Sequence, residues 1–425
     1  MNEIEAVFKS SFGDLLTSSK VSFLYHENGF KKAAYNEKMA LVPASNAKLF
    51  HTAAALKISD EKDVLQPLQI NVNGSVSNGI VNGDLVIDAC GSLFFSGRYP
   101  SSLSLHEKRQ KLSDRVGEFI KQLKNAGLST IQGDLKLTFD RWNGLQKNSQ
   151  YNAATAFSYN ENTVDTYVQD GNMHSCPESP LFLSFKEDKS IKAQDKRINN
   201  TIFYNPSKSS KDYWRVNAID VNEYARSMLK RDLQKNGILF KNKEFSGKAK
   251  PLFELKSDET LAGFIYPINQ YSDNLRAELL ALLLNRSVTG SATYKGLNES
   301  LTMIFDKAVK GNYEIYDGSG LSRKNRASAT SLVSLLEHMS NSDQHLSLEQ
   351  SLSIASRTGT LAKRFHNSPF AGTFIGKTGT LNKVTALSGY WFKDEYTKVT
   401  LSFIGNGAEN ENYWQALEHF AKSLR

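Results

Sequence analysis

The stretch ALVPASNAKLFHTAAALKIS, residues 40–59, decides the fold because it predicts a helix with a serine and a lysine in its first turn. Pro43 precedes a run of good helix formers, so we expect the helix to begin close to Ser45. Ser45 and Lys48 share one helix face, where the lysine amine can reach the serine hydroxyl. A solvated helix face is the commoner explanation of any single S-x-x-K match. The pattern also occurs at two other places, Ser59…Lys62 and Ser227…Lys230.

A second pattern, Ser272-Asp273-Asn274, opens a predicted helix with the sequence SDNLRAELLALLLN at residues 272–285. A serine hydroxyl can relay a proton toward a leaving amine, and an asparagine amide can bond a substrate peptide group. The alternative is structural, because Ser272 would also serve as a helix N-cap. The pattern Ser-x-Asn occurs by chance at 158–160 as well, so it means little without its context.

The third pattern is Lys377-Thr378-Gly379-Thr380, in a predicted strand near the end of the chain. The lysine adds positive potential, the threonine hydroxyls can bind a carboxylate, and the glycine allows a substrate to approach an edge strand closely. A near copy, Arg-Thr-Gly-Thr at 357–360, follows a predicted helix and does not lie in a strand. We therefore favour the copy at 377–380 as the site element.

The order of the three patterns carries more weight than any one of them. S-x-x-K, then S-D-N at the start of a helix, then K-T-G on a strand is the set found in penicillin-binding proteins and serine β-lactamases. Ser45 and Ser272 are 227 residues apart, and Asn274 and Lys377 are 103 apart. A β-lactamase needs only a short helical segment between the first two patterns, whereas this chain has a long strand-rich insert.

The segments at the two ends of the chain predict one sheet. Residues 21–29 and 31–37 alternate as two strands joined by an Asn-Gly turn, and three further strands fall between residues 372 and 406. Helices at 328–340 and at the C-terminus flank them. Within the insert, residues 105–127 form an amphipathic helix with Gly127 as its stop. Its predicted buried positions are Leu112, Val116, Phe119, Ile120 and Leu123.

With these patterns in place, the sequence resembles the low-molecular-mass class C penicillin-binding proteins, which are D-alanyl-D-alanine carboxypeptidases and endopeptidases of peptidoglycan. The most specific parts of this resemblance are the segments DGSGLSR at 317–323 and GKTGTLNKVTALSGY at 376–390. The resemblance implies an α/β (α+β) multidomain protein. Its penicillin-binding/β-lactamase-like transpeptidase core is an antiparallel sheet flanked by helices, with strand-rich inserted domains. The implied limits are 1–60 with 258–425 for the peptidase domain, 61–92 with 158–257 for domain II, and 93–157 for a nested domain III.

The resemblance also implies a role for each motif residue. Ser45 attacks the penultimate D-Ala carbonyl, Lys48 takes its proton, and Ser272 relays a proton to the departing D-Ala amine. The substrate amide and terminal carboxylate are held by the other motif residues, Asn274, Lys377, Thr378, Gly379 and Thr380. The oxyanion hole consists of the backbone N–H groups of Ser45 and Thr380, and one such donor is worth about 10²–10³ in rate. Asp317 and Arg323 support the site.

Two segments depart from the family pattern. Residues 88–93 read DACGSL where relatives have a glycine-rich run, and residues 138–142 read TFDRW where relatives place an Asp-x-Ser-x-Phe-like segment. Both lie in the inserted domains, which in the family shape the pocket for the stem peptide. The chemistry is therefore better supported by the sequence than the selectivity for a particular stem peptide.

Composition narrows the partners. The net charge of +8 favours an anionic partner such as cell-wall polymer or, as a peripheral contact, a membrane surface, although mild excess charge is also ordinary. We expect no nucleic-acid partner, because no run of Lys/Arg is interleaved with aromatic residues. We expect no metal or redox site, because H-E-x-x-H and C-x-x-C are missing. The family chemistry implies no cofactor, because lysine and serine groups transfer the protons. Cys90 and Cys176 could form a disulfide or be two buried thiols. Stem peptides and, as covalent inhibitors, β-lactams are the partners that the family implies.

The first residues, MNEIEAVFKSSFGDLL, carry acids where a secretory signal carries a basic segment. Composition alone leaves two alternatives, a cytosolic protein or a secreted one whose signal peptide was removed. The family implies a periplasmic or otherwise extracytoplasmic location, with a signal peptide removed ahead of this numbering. Two alternatives to the peptidase stay open. One is a β-lactamase or esterase on the same catalytic core, and the other is a non-catalytic wall-binding protein that keeps the scaffold.

Overall fold

The computed structural model describes residues 3–98, 104–142, 154–177, 184–190, 196–198, 201–207, 213–217 and 220–424. The chain forms two compact units, of which one comprises residues 1–65 and 259–425 and the other residues 66–258. The domain limits implied by the sequence, including a separate domain III at 93–157, stay predictions. Within the second unit, strands from 130–131 and 135–138 pair with the strand at 80–88.

The elements follow in chain order. The first unit begins with α1 Glu3–Phe12, α2 Leu15–Ser18, β1 Lys20–Glu27, β2 Phe30–Tyr35 and α3 Lys48–Ile58. The second unit contains β3 Leu68–Ser77, β4 Ile80–Asp88, β5 Ser92–Phe95, α4 Leu105–Asn125, β6 Thr130–Ile131, β7 Leu135–Thr138, β8 Phe157–Tyr159, β9 Thr163–Gln169, β10 Asn172–Cys176, β11 Ser184–Glu187, β12 Lys196–Ile198, β13 Thr201–Tyr204, β14 Tyr213–Asn217, α5 Val221–Lys235, β15 Leu239–Phe240 and β16 Lys250–Leu255. The first unit resumes with α6 Leu261–Gln270, α7 Asn274–Thr289, α8 Leu297–Phe305, β17 Tyr313–Glu314, β18 Arg326–Ala327, α9 Ala329–Ser340, α10 His345–Ser351, β19 Ser353–Ile354, β20 Phe374–Leu381, β21 Val384–Phe392, β22 Lys398–Asn406 and α11 Asn410–Ser423.

One antiparallel sheet organises the first unit, with the strand order β19-β20-β21-β22-β1-β2. The β22–β1 pair, in register from Lys20 with Asn406 to Glu27 with Val399, joins the two ends of the chain. The single sheet predicted from both termini is therefore confirmed. Aromatic and aliphatic side chains of its strands pack with those of α1 and α11 in one core, which includes Phe8, Phe23, Phe403, Trp414 and Phe420.

Helix α3 lies in the interior of this unit. Ten of its eleven residues are buried, with Lys57 as the exception, which explains why the sequence 48–58 is apolar on almost every side. A short 3-10 turn, Ala44–Ala47, precedes the helix, so Ser45 lies in that turn and Lys48 is the first α-helical residue. A helix close to Ser45 was predicted, and the structure resolves it into these two parts.

The second unit contains a six-stranded sheet with the path β15-β6-β4-β3-β16, and β7 also pairs with β4. Two Gly-Asp-Leu segments lie side by side in it, because Leu85 is in parallel register with Leu135 and the Asp84 carboxylate accepts from the Asp134 amide at 2.9 Å. Helix α4 buries the five apolar side chains predicted for it and begins with a Ser104–Glu107 capping box. Cys90 and Cys176 are buried and are not disulfide-bonded. No helix among the described residues is long and apolar enough to cross a membrane.

Candidate active site

The lysine of the S-x-x-K pattern is directed at the serine. Lys48 Nζ donates to Ser45 Oγ at 2.9 Å and to Asn274 Oδ1 at 2.8 Å, and it also donates to the carbonyl oxygen of Ser319. The Lys48 side chain is fully buried. A buried ammonium needs several acceptors, and three atoms from three separate segments supply them here. The first two sequence motifs thus meet at one amine.

The electrostatics of Lys48 favour the neutral amine more than in water. Burial lowers its pKa from 10.5 to about 8, because the charged form loses its hydration. The carboxylates of Glu278, Asp317 and Asp273 act in the opposite direction and hold the pKa from falling further. A lysine with a pKa near 8 is a workable proton acceptor close to neutral pH.

In the S-D-N pattern, Asp273 caps a helix and Ser272 contacts the lysine of the K-T-G pattern. Asp273 is the N-cap of α7, and its side chain accepts from the Arg276 amide at 3.0 Å. Ser272 therefore does not cap the helix, in contrast to the structural alternative considered from the sequence. It adopts a left-handed φ of 61°, and its hydroxyl accepts from Lys377 Nζ at 3.0 Å.

The K-T-G-T pattern lies in β20, as predicted, next to the serine turn. Lys377 is fully buried, and its pKa is lowered well below the usual range by burial first and by the Lys48 charge second. A Cβ at Gly379 would lie 2.6 Å from the Pro43 carbonyl oxygen and 3.1 Å from the Ser45 amide nitrogen. Only glycine lets the strand approach this turn so closely. Thr380 lies at the exposed end of the motif.

The turn Ala44–Ala47, which carries the predicted nucleophile Ser45 and is called the nucleophile turn below, is also tied to the central strands. The Asn46 side-chain amide, oriented so that both of its polar atoms are satisfied, donates to the Lys377 carbonyl at 2.9 Å and accepts from the Ser388 hydroxyl at 2.8 Å. Ala44, the first residue of this turn, has a left-handed φ of 47°. These constraints hold the Ser45 backbone against β20 and β21.

Sequence reasoning missed two contributors to the site. The Ser319 carbonyl belongs to the DGSGLSR segment, in which the resemblance implied a supporting role for Asp317 and Arg323 but none for Ser319. Thr360 belongs to the R-T-G-T copy that was set aside, yet its hydroxyl accepts from the Thr378 hydroxyl at 2.8 Å and lies 3.2 Å from Ser353 Oγ. The signal for Thr360 was the repetition of T-G-T itself, whereas a carbonyl contact has no residue-type signal.

The other residues of the DGSGLSR segment hold the turn together. The Asp317 carboxylate accepts from the amides of Gly320 at 2.9 Å and Ser322 at 2.7 Å, and from Asn325 Nδ2 at 2.7 Å. Arg323 donates to the Asn382 carbonyl at 2.7 Å, in the loop after β20. In the part of the chain that the structure describes, no group of three or more His, Cys, Asp or Glu side chains could hold a metal ion.

Comparisons with known proteins show the family of the chain. The profile of the D-Ala-D-Ala carboxypeptidase 3 (S13) family matches residues 26–424. "Penicillin-sensitive carboxypeptidase A" of Dictyostelium discoideum is 24% identical over 427 residues, covering 89% of this chain and 80% of that protein. "D-alanyl-D-alanine carboxypeptidase DacB" of Haemophilus influenzae is 24% identical over 410 residues, covering 88% and 82%.

A solved structure shows the same fold. Penicillin binding protein 4 (dacB) from Haemophilus influenzae matches with a TM-score of 0.73 at 20% identity, covering 99% of this chain and 98% of that chain. The same protein in complex with a β-lactam matches with a TM-score of 0.71 at 19% identity, over 99% and 98% of the two chains. The predicted fold class, a penicillin-binding core with strand-rich insertions, is thereby confirmed.

Proposed function

Because the chain belongs to the D-Ala-D-Ala carboxypeptidase 3 (S13) family, we propose that Ser45 is the residue through which it forms an acyl-enzyme. The protein is a serine-type D-Ala-D-Ala carboxypeptidase, a hydrolase of peptidoglycan. The observation that carries the assignment of Ser45 is its 2.9 Å contact with the buried Lys48 amine. The lysines of the other two S-x-x-K matches have different acceptors, because Lys62 donates to the Ser287 carbonyl and Lys230 donates to the side chains of Asp134 and Asn242.

Acylation begins with a proton transfer within the nucleophile turn. The Ser45 hydroxyl proton moves to the neutral Lys48 amine while Ser45 Oγ forms a bond to the carbonyl carbon of the penultimate D-Ala. Negative charge develops on the carbonyl oxygen, where the Ser45 and Thr380 amides would donate. The closeness of β20 to Pro43 and Ser45, which Gly379 permits, supports this pairing of donors.

Collapse of the tetrahedral intermediate releases the terminal D-Ala as an amine. The C–N bond breaks, and the amine takes a proton that reaches it through Ser272, which receives a hydrogen bond from Lys377. Lys377, Thr378 and Thr380 bind the terminal carboxylate, and Asn274 orients the substrate amide. Water then attacks the ester carbonyl and gives a proton to the neutral Lys48 amine, and the bond between Ser45 Oγ and the acyl carbon breaks. Ser45 Oγ takes that proton back from Lys48, so that the free serine is restored and the shortened peptide leaves as an acid.

A β-lactam should trap this cycle at the ester. We expect intact-mass measurement to show one β-lactam adduct on the wild-type protein and none on Ser45→Ala. Ser59→Ala, at the start of another S-x-x-K match, is the matched control and should acylate like the wild type. Acylation of folded Ser45→Ala, or loss of acylation in Ser59→Ala, would refute the assignment.

The substrate range follows from the same acyl-enzyme. A carboxypeptidase and an endopeptidase both cleave after a D-Ala carbonyl, so we infer that stem pentapeptides and D-Ala cross-links both reach Ser45. Peptidoglycan lies outside the cytoplasm, which supports an extracytoplasmic, and in a two-membrane cell periplasmic, site of action. Digestion of purified monomeric and cross-linked muropeptides, followed by mass spectrometry of the products, tests both activities. Release of neither D-Ala nor monomers by a β-lactam-reactive protein would contradict the inference.

A further inference from the structure

Glu278 is a buried acid behind the active site, to which neither the motifs nor the proposed chemistry assigns a role. It lies on α7 one helical turn after Asn274, and its side chain is 0% exposed. Its Oε2 accepts from the Gly318 amide at 3.1 Å, and its Oε1 accepts from the Ser319 amide at 3.0 Å. One carboxylate thus binds two successive amides of the segment Asp317–Gly320.

That segment, which we call the DGSG turn, is clamped on two sides. A Cβ at Gly318 would lie 2.2 Å from the Ala277 carbonyl oxygen, so the turn lies directly against α7. A Cβ at Gly320 would lie 2.1 Å from the Ala44 carbonyl oxygen, so the same turn lies directly against the nucleophile turn. Asp317 fixes the turn from within, and Glu278 fixes it to the helix.

The position of the DGSG turn determines where the Lys48 amine is held. Ser319 donates its N–H to Glu278 and accepts with its carbonyl oxygen from Lys48 Nζ, and the Ser45 hydroxyl lies 3.5 Å from the same carbonyl. A shift of the turn would therefore move the acceptor that holds the amine against Ser45. Misplacement of a proton acceptor by even about 1 Å can cost about a hundredfold in rate.

Glu278 also contributes charge. Burial lowers the pKa of Lys48, and the charge of Glu278 makes the largest contribution in the opposite direction, ahead of Asp317 and Asp273. Burial and the neighbouring Asp317 raise the pKa of Glu278, while the Ser319, Gly318 and Tyr294 donors lower it. Two further titratable groups at this cluster are Lys377, whose pKa is lowered by burial and by the Lys48 charge, and His51, whose pKa is lowered to about 4 by burial.

We propose that Glu278 is a positioning residue for acylation, which holds the DGSG turn so that the Ser319 carbonyl presents Lys48 to Ser45 and which adds negative charge to the same buried cluster. The proposal rests on the assignment of Ser45 and Lys48 made above. It adds a glutamate without substrate contact to the residues that set the rate and its dependence on pH.

Two substitutions separate the two parts of this role. Glu278→Gln keeps the length of the side chain but removes the charge and one of the two acceptors, whereas Glu278→Asp keeps the charge and loses reach. The measurement is the second-order rate of acylation by a fluorescent penicillin between pH 5.5 and pH 9.5, per mole of protein shown to be folded by near-ultraviolet circular dichroism. Glu299→Gln, an exposed glutamate on α8, is the matched control.

We expect Glu278→Gln to lower the plateau rate about tenfold or more, and to move the midpoint of the rising limb to lower pH because Lys48 becomes less basic. Glu278→Asp should lower the rate with its midpoint closer to the wild-type value, and Glu299→Gln should match the wild type. A uniform loss at every pH, or an unchanged profile in both Glu278 variants, would overturn the proposal. If Glu278→Gln does not fold, Glu278→Asp decides, because a wild-type rate there would refute the positioning role. Failure of the Ser45 assignment would look different, with acylation of the wild type at another residue or at none.

Discussion

Burial of Lys48 makes the stability of this protein depend on pH in a way that one substitution should remove. The folded protein holds the amine with a pKa of about 8, against 10.5 for a solvated lysine, because burial penalises its charge. Between these values the unfolded chain keeps a proton that the folded chain has released, so stability rises with pH through this window. Below pH 8 both states are protonated, and the folded state bears a penalty of about 3 kcal/mol.

The variant Lys48→Met has no such proton. Its hydrogen-bond losses at Ser45, Asn274 and Ser319 change its stability by a constant. Lys377, whose pKa is lowered mainly by burial, is present in both proteins, so the pH-dependent difference between them comes chiefly from Lys48. The wild type should therefore gain about 2–3 kcal/mol in unfolding free energy relative to Lys48→Met between pH 7 and pH 10.

Chemical denaturation of both proteins at the two pH values measures this gain. Lys57→Met, an exposed lysine on the same helix, is the control, and its difference from the wild type should be the same at both values. A wild-type to Lys48→Met difference that does not change between pH 7 and pH 10 would refute the buried, weakly basic amine. Penicillin acylation, measured in parallel, should be lost in Lys48→Met and kept in Lys57→Met.

Two further substitutions test the packing and the carboxylate contacts around the nucleophile. Thr360→Val removes the acceptor of the Thr378 hydroxyl, so kcat/KM for a D-Ala-D-Ala peptide should fall about tenfold. The loss should be smaller for the C-terminal methyl ester of the same peptide, and Thr360→Ser should recover the activity. Equal losses for both substrates would contradict a role in carboxylate binding. Gly320→Ala should destabilise the fold by more than the roughly 1–2 kcal/mol that a left-handed φ alone costs, because its Cβ would lie 2.1 Å from the Ala44 carbonyl oxygen. Gly290→Ala is the control, because Gly290 has a φ of +80° and its Cβ would have no atom within 4 Å. This control should therefore show the conformational cost alone. Equal changes in unfolding free energy for the two glycine variants would refute the close contact at Gly320.

Much of the fold could be read from local patterns. Apolar periodicity predicted α4 with its five buried residues, and alternation with an Asn-Gly turn predicted β1 and β2. These elements follow from short-range rules, because the period of a helix or strand decides which side chains share a face. The three motifs also kept their predicted elements, a helix start, a helix N-terminus and a strand.

The N-cap of α7 could not be predicted from the local sequence. Ser272 and Asp273 are both good N-caps, and the sequence offered no means to choose between them. In the folded chain Asp273 binds the Arg276 amide, while Ser272 turns toward Lys377, which is 105 residues away. The choice depends on β20, and no local pattern around residue 272 contains that strand.

The sequence alone determined the order of Ser45, Lys48, the S-D-N helix and the K-T-G strand, and through them the kind of chemistry. Tertiary structure decided that Lys48 is held by the Ser319 carbonyl, that Glu278 binds the turn that carries it, and that Thr360 joins the site. For the Ser319 carbonyl and for the amides that Glu278 binds, the physical reason is that all residues have a carbonyl and all but proline have an N–H group, so contacts through the backbone leave no mark in residue type. Thr360 joins the site through its side chain, and only the fold shows which of the two T-G-T copies meets the other. The pKa of Lys48 likewise comes from burial and from charges brought together over hundreds of residues, which only the folded chain provides.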